Sequence, residues 1–197
     1  MRLNPLVVFL LLATTLFAQN RPDPFTQKLL SAANERPNHP ARYDPGYVKI
    51  SYPNGDVPAD TGVCSDEIIR IYRAVGIDLQ KEVHEDIMAN PSAYPHKAKW
   101  LQLRPDTNID HRRVPNLAVY FARQGQSLST TDRSSFAPGD IVVWMLPNGR
   151  DHIGMVLDKK SLFGTYLAEH NIGEGPKIEN VLFDWKITGH YRYRGAR

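Results

Sequence analysis

The sequence predicts an α+β domain, with helices from its first half packed on an antiparallel sheet from its second. Three observations carry this. Residues 64–75 place Cys64, Ile68, Ile71, Tyr72 and Val75 on one helical stripe. After Pro138-Gly139 the pattern changes to apolar runs of strand length separated by turns. Helical periods precede strand periods instead of alternating with them, which favours an antiparallel over a parallel sheet.

The elements follow in chain order. Met1-Arg2 is a short positive start, Leu6 to Leu12 is unbroken apolar chain, and small residues lead to Ala18. This is the layout of a secretory signal peptide cleaved after Ala18, with an apolar run too short to span a bilayer comfortably. The mature chain is therefore expected to be exported, periplasmic or secreted, with no stable membrane anchor after cleavage. The expected division is 1–18 signal peptide, 19–44 N-terminal helix and loop, and 45–197 one domain. Residues 24–34 read as a helix opened by Pro24, and 36–46 as a proline-rich loop. Residues 47–52 alternate like a strand, and Pro53-Asn54-Gly55-Asp56 is a turn. The helix at 64–75 ends at Gly76. Further helices are expected over 81–89, stopped by Asn90-Pro91, and 115–124, closed by Gly125. Strands are expected over 140–146, 152–158, 166–171 and 187–193, with Gly173 to Gly175 in a turn.

Composition excludes several classes. The formal charge of +3 is nearly balanced, and no basic run or basic-aromatic ladder occurs, so nucleic acid is not an expected partner. The histidine and carboxylates at 84–86, with Asp56 and Asp60, lack a diagnostic ligand spacing, so neither metal nor cofactor is expected. The single cysteine, Cys64, cannot form an internal disulfide. An unpaired cysteine in an exported chain is a reactive thiol, an intermolecular bridge or a buried passenger.

Cys64 lies at a helix start, where unpaired N–H groups and the dipole favour a thiolate. On that basis it is expected to react below about pH 8.5, the free-thiol reference. A thiol hydrolase also needs a base and a group that orients it. His152 opens a strand at the rim of the sheet. His170 and Asn171 end another strand, and alternation lets only one of them face His152. Either an imidazole or an amide oxygen can accept the Nδ1–H of the base. Asp66 lies in the first turn of the cysteine helix, where acidic residues are ordinary. His111, Arg112 and Arg113 precede a helix and are candidates for binding carboxylates of a substrate.

Residues 61–66 and 69–79 resemble the cysteine-helix motif of the NlpC-type cell-wall peptidases. Residues 138–144 and 152–156 resemble the strand pair that bears their histidine. A nearer resemblance, over about residues 45–195, is to an exported bacterial family filed as domain-of-unknown-function family 1287. It is carried by the stretches at 108–117, 170–176 and 187–193. The resemblance implies a papain-like (NlpC-type) fold and cleavage of amide bonds in peptidoglycan stem peptides, by an endopeptidase or amidase needing no cofactor. It implies Cys64 as nucleophile, His152 as base, His170 as orienter, and Tyr52 beside the oxyanion site, where Asn171 and Asp66 are further candidates. Two alternatives stand beside this reading. One is a different thiol acyl hydrolase or transferase on the same fold, and the other is a non-catalytic protein that binds cell-wall peptide.

Overall fold

The computed structural model describes residues 22–95 and 104–196; the signal segment read at 1–18 lies outside them. Helix α1 (Pro24–Glu35) starts at its proline because Asp23 caps it, accepting from the N–H groups of Phe25 and Thr26. Helix α2 (Cys64–Ala74) has no side-chain acceptor at its cap, Val63, but the Val63 N–H donates to the Asp66 carboxylate at 2.8 Å. Gly76, at φ 87°, ends it. Helix α3 (Leu79–Ala89) begins two residues earlier than the sequence suggests, because Asp78 caps the N–H groups of Gln80 and Lys81. Helix α4 (Val114–Gln124) carries Pro115 in its first turn, where a missing N–H costs nothing.

A six-stranded antiparallel sheet has the order β3-β8-β4-β5-β6-β7. Its members are β3 (Gln126–Ser127), β4 (Ile141–Met145), β5 (Asp151–Lys160), β6 (Tyr166–His170), β7 (Lys177–Glu179) and β8 (Lys186–Arg192). A separate parallel pair joins β1 (Arg42–Tyr43) to β2 (Thr61–Gly62), just before the cysteine.

Both faces of the central strands are covered. Ile141, Val143, Ile153, Met155 and Leu157 pack with α1, α2 and α4 in the main core. Val142, Trp144, Val156 and Ala168 face a smaller core closed by Phe136 and Leu182. This explains why β4 reads as a continuous apolar run rather than an alternation: no face is left for water. Leu29, Leu30 and Ala33 of α1 share the main core, so no break in packing falls at residue 44.

The strand expected over 47–52 is absent. The Ile50 N–H donates to Asn108 Oδ1 at 2.9 Å, and Gln80 Nε2 donates to the Ser51 carbonyl at 2.8 Å. Side chains from α3 and a distant loop thus take up two backbone groups that a sheet neighbour would otherwise have to satisfy.

Candidate active site

The parallel β1–β2 pair leads directly into α2 and puts Cys64 at its first position, 4% exposed. Gly62 permits the tight entry: a Cβ there would stand 3.0 Å from Arg70 Nη1 and 3.4 Å from Asp66 Cβ. Backbone N–H groups of Ile153, Ser65 and Cys64 itself favour the thiolate, but burial outweighs them. Together with the Asp66 charge, burial pushes the thiol up to about 12. This corrects the expectation of a lowered thiol: the helix start is present, but it is dry and carries a carboxylate.

The Ile153 N–H that reaches the sulfur belongs to the residue after the candidate base. His152 lies opposite Trp144 in the β4–β5 register, stacked on its indole at 5.6 Å with 27° between planes. Trp185 closes another side edge-on at 5.7 Å. Burial, followed by the charge of His170, draws His152 down to about 3.

His152 Nε2 lies 2.9 Å from His170 Nδ1, and His170 Nε2 lies 3.0 Å from Glu179 Oε2. Donor counting assigns the protons. A carboxylate only accepts, so Glu179 requires the proton on His170 Nε2. His170 Nδ1 is then an acceptor, and takes the Nε2–H of His152. The basic lone pair of His152 is left on Nδ1. His152 therefore gives its Nε2–H to His170, not the Nδ1–H expected from sequence. Burial lowers the His170 pKa, partly opposed by the Glu179 carboxylate.

Gly154 makes room for this relay. A Cβ there would stand 3.0 Å from the Trp144 ring, 3.1 Å from His170 Cβ and 2.6 Å from the Glu169 carbonyl oxygen. Asn171 does not join it; its Oδ1 accepts from the Gly173 N–H at 3.1 Å, within its own turn.

Several other candidates lie elsewhere. Tyr52 packs against His84 of α3 at 5.5 Å, beside Asp78 and Glu85. The tyrosine near the sulfur is Tyr43, whose phenol is pushed up by burial and by the Cys64 charge. β1 brings it there, pairing Tyr43 with Gly62. Asp66 and Arg112 are not substrate groups. They form a buried two-pronged pair at 2.8 and 3.0 Å, and Arg112 also donates to the carbonyls of Gly46 and Asp44. His111 is buried and drawn down to about 4 by desolvation, so it offers no surface charge. Of the three, only Arg113 is exposed.

The cleft over His152 holds about 280 Å³, with Tyr43, Trp185, Ile172, Asp151 and Arg150 among its walls. Arg150 is the cation that faces this space, supplied by the turn before β5. Among the described residues no three histidine, cysteine or carboxylate side chains are grouped to hold a metal.

A family model, Domain of unknown function (DUF1287), matches residues 30–193. The chain belongs to the DUF1287 family. Uncharacterized protein YijF of Escherichia coli (strain K12) is 53% identical over 152 residues, covering 77% of this chain and 73% of that protein. The structure of NlpC1 from Trichomonas vaginalis aligns with 89% of this DUF1287 chain at a TM-score of 0.50 and 15% identity. The aligned part is 46% of that structure, so this chain spans less than half of it. The likeness concerns the fold, which is papain-like and of the NlpC type.

Proposed function

We propose that this DUF1287 chain is an exported cysteine hydrolase that cleaves amide bonds in peptidoglycan stem peptides. The observation that carries the proposal is the Glu179–His170–His152 relay, which leaves a basic Nδ1 next to the residue whose N–H meets Cys64 sulfur. Export rests on the segment at 1–18, and the substrate class on the fold and on Arg150, which suits the carboxylates of wall peptides.

In the resting site both partners are neutral, a thiol held up by burial and an imidazole held down by it. Proton transfer thus accompanies attack. Cys64 Sγ adds to the amide carbonyl as its proton passes to His152 Nδ1. The imidazolium formed is stabilised through His170 by the Glu179 carboxylate. N–H groups at the start of α2 and the Tyr43 hydroxyl receive the oxyanion. His152 returns the proton to the leaving amine, and water releases the acyl group from sulfur.

The test is incubation with sacculi and defined stem peptides, followed by mass spectrometry for new amine termini. New termini in wild type, absent in Cys64→Ala, are the expected result. Intact wall chemotypes alongside turnover of a simple ester or thioester would assign another acyl-transfer reaction to the same residues. The buried, neutral thiol favours a second reading, a protein that holds wall peptide in the cleft without cutting it. That reading requires wild type and Cys64→Ala to bind stem peptide equally while neither releases product.

A further inference from the structure

The turn from β5 into β6, at the opposite end of β5 from the cleft, carries Leu162 and Phe163 at 101% and 94% exposure. It is a fixed turn. The Gly164 N–H donates to the Ser161 carbonyl at 3.0 Å, the Ser161 N–H to that of Thr165 at 2.8 Å, and Gly164 adopts φ 82°. Two large apolar side chains are thus held in water by backbone geometry, with Lys159 and Lys160 just before them. Beside the tip is a hollow of about 380 Å³ floored by Phe136, Tyr166, Leu182 and Phe183. Its cations are Arg133, 4.3 Å over the Phe183 ring, and Lys160, 4.4 Å over the Tyr166 ring. No carboxylate lines it. The aspartates next in sequence are Asp132, Asp158 and Asp184, and the Asp132 carboxylate is engaged by the Ser134 N–H and Oγ.

We propose that this end of the molecule docks on an anionic phospholipid bilayer. Leu162 and Phe163 enter the acyl boundary, and Lys159, Lys160 and Arg133 meet the phosphates. Cations held over rings beside protruding apolar side chains match the layering of a membrane interface. The shape favours a bilayer over a protein partner. Two side chains on a convex tip are far below the area of a stable protein interface, whereas a bilayer accepts a wedge without a preformed pocket. No helix among the described residues is long and apolar enough to cross a membrane, and the contact proposed for the tip is a peripheral one. With β5 running over Asp151–Lys160 at about 3.3 Å per residue, the cleft stands roughly 30 Å from the tip.

The test places an environment-sensitive dye on Leu162→Cys in a full-length Cys64→Ala chain. Because the readout is local, membrane affinity of the N-terminal apolar run does not imitate it. The same dye on Met88→Cys, an exposed position on α3, is the control. With phosphatidylglycerol vesicles the dye at 162 shifts to the blue and the dye at 88 does not. Phosphatidylcholine vesicles give a much weaker response. Lys159→Gln and Lys160→Gln each weaken the concentration dependence on the order of fivefold, as one lysine near an anionic surface implies. An unshifted dye at 162 on phosphatidylglycerol overturns the proposal. So does an equal response to both lipids that ignores the lysines. A shift that instead follows chain concentration without lipid, or added periplasmic protein, assigns the tip to a protein contact and also overturns it.

Discussion

Glu179 determines which nitrogen of His152 keeps its lone pair free, and it does so from two hydrogen bonds away. Under the proposed function, activity should fall in the order wild type, Asn171→Ala, His170→Ala, His152→Ala, with Cys64→Ala at background. Glu179→Ala should lose on the order of tenfold in kcat, because it frees the tautomer without removing the base. Steady-state kinetics on variants with unchanged thermal transitions provides the check; full activity in His170→Ala would break the relay. The thiol gives a separate expectation. With Cys64 pushed up to about 12, iodoacetamide should modify the folded protein slowly at pH 8, with a rate still rising above pH 9. A plateau below pH 8 would mean that the helix start overcomes burial. As candidates, Cys64, His152 and His170 are legible in the sequence because each sits in a local pattern. Glu179 was not: its place depends on β7 pairing with β6, which puts Ala168 opposite Glu179 after a glycine-rich loop. Tyr43 is hidden for a similar reason, because a two-residue strand has no period to read, whereas the family resemblance points to Tyr52, which packs against His84 of α3 instead.

At the scale of elements, the four long helices among the described residues and four of the strands follow from periodicity and punctuation, with ends moved by caps such as Asp78. What periodicity could not supply was the short pairings β1–β2 and β3–β8, or the side-chain partners that take the Ile50 N–H and the Ser51 carbonyl. Another hidden connection ties α2 to the segment before α4. Arg112 lies 46 positions from Asp66 and reaches it with two nitrogens, while Ser65 Oγ donates to the Arg112 carbonyl at 2.7 Å. Both charged side chains are almost fully buried. Removing one leaves the other without compensation, so Arg112→Ala should destabilise the fold by about 3–5 kcal/mol. Arg112→Lys should also cost stability, because an ammonium cannot reproduce the two-pronged contact. Urea denaturation measures both, and a change under about 1 kcal/mol in Arg112→Ala would show that water replaces the guanidinium.

For the whole molecule, buried ionisable groups set two opposing pH dependences. His111, His152 and His170 all have pKa values lowered by burial. Their contribution is complete above about pH 6.5 and is lost as pH falls, because the unfolded chain takes up protons that the folded one refuses. Glu169 acts the other way. It is fully buried, neither carboxyl oxygen has a partner among the described residues, and burial beside Glu67 raises its pKa well above 4.5. Its contribution is complete below pH 4.5 and is lost as pH rises toward its folded value. Glu169→Gln should therefore match wild type at pH 4 and exceed it at pH 8. The gain is on the order of 1.4 kcal/mol for each pH unit between 4.5 and the folded pKa. Urea titrations at the two pH values decide this, and equal stability at pH 8 would mean that the carboxylate finds solvation inside the fold.

The stacking of Trp144 on His152 gives the molecule an optical reporter. An excited indole loses its emission to an imidazolium far more readily than to a neutral imidazole. Trp144 and Trp185 both lie against the ring of His152, so the ultraviolet emission of these two indoles reports the charge on that ring. The emission should stay level through neutral pH and dim only in acid, as His152 titrates near 3. Under the proposed function, a brief loss of light during single-turnover acylation would mark the instant when the ring holds the thiol's proton, with no added chromophore.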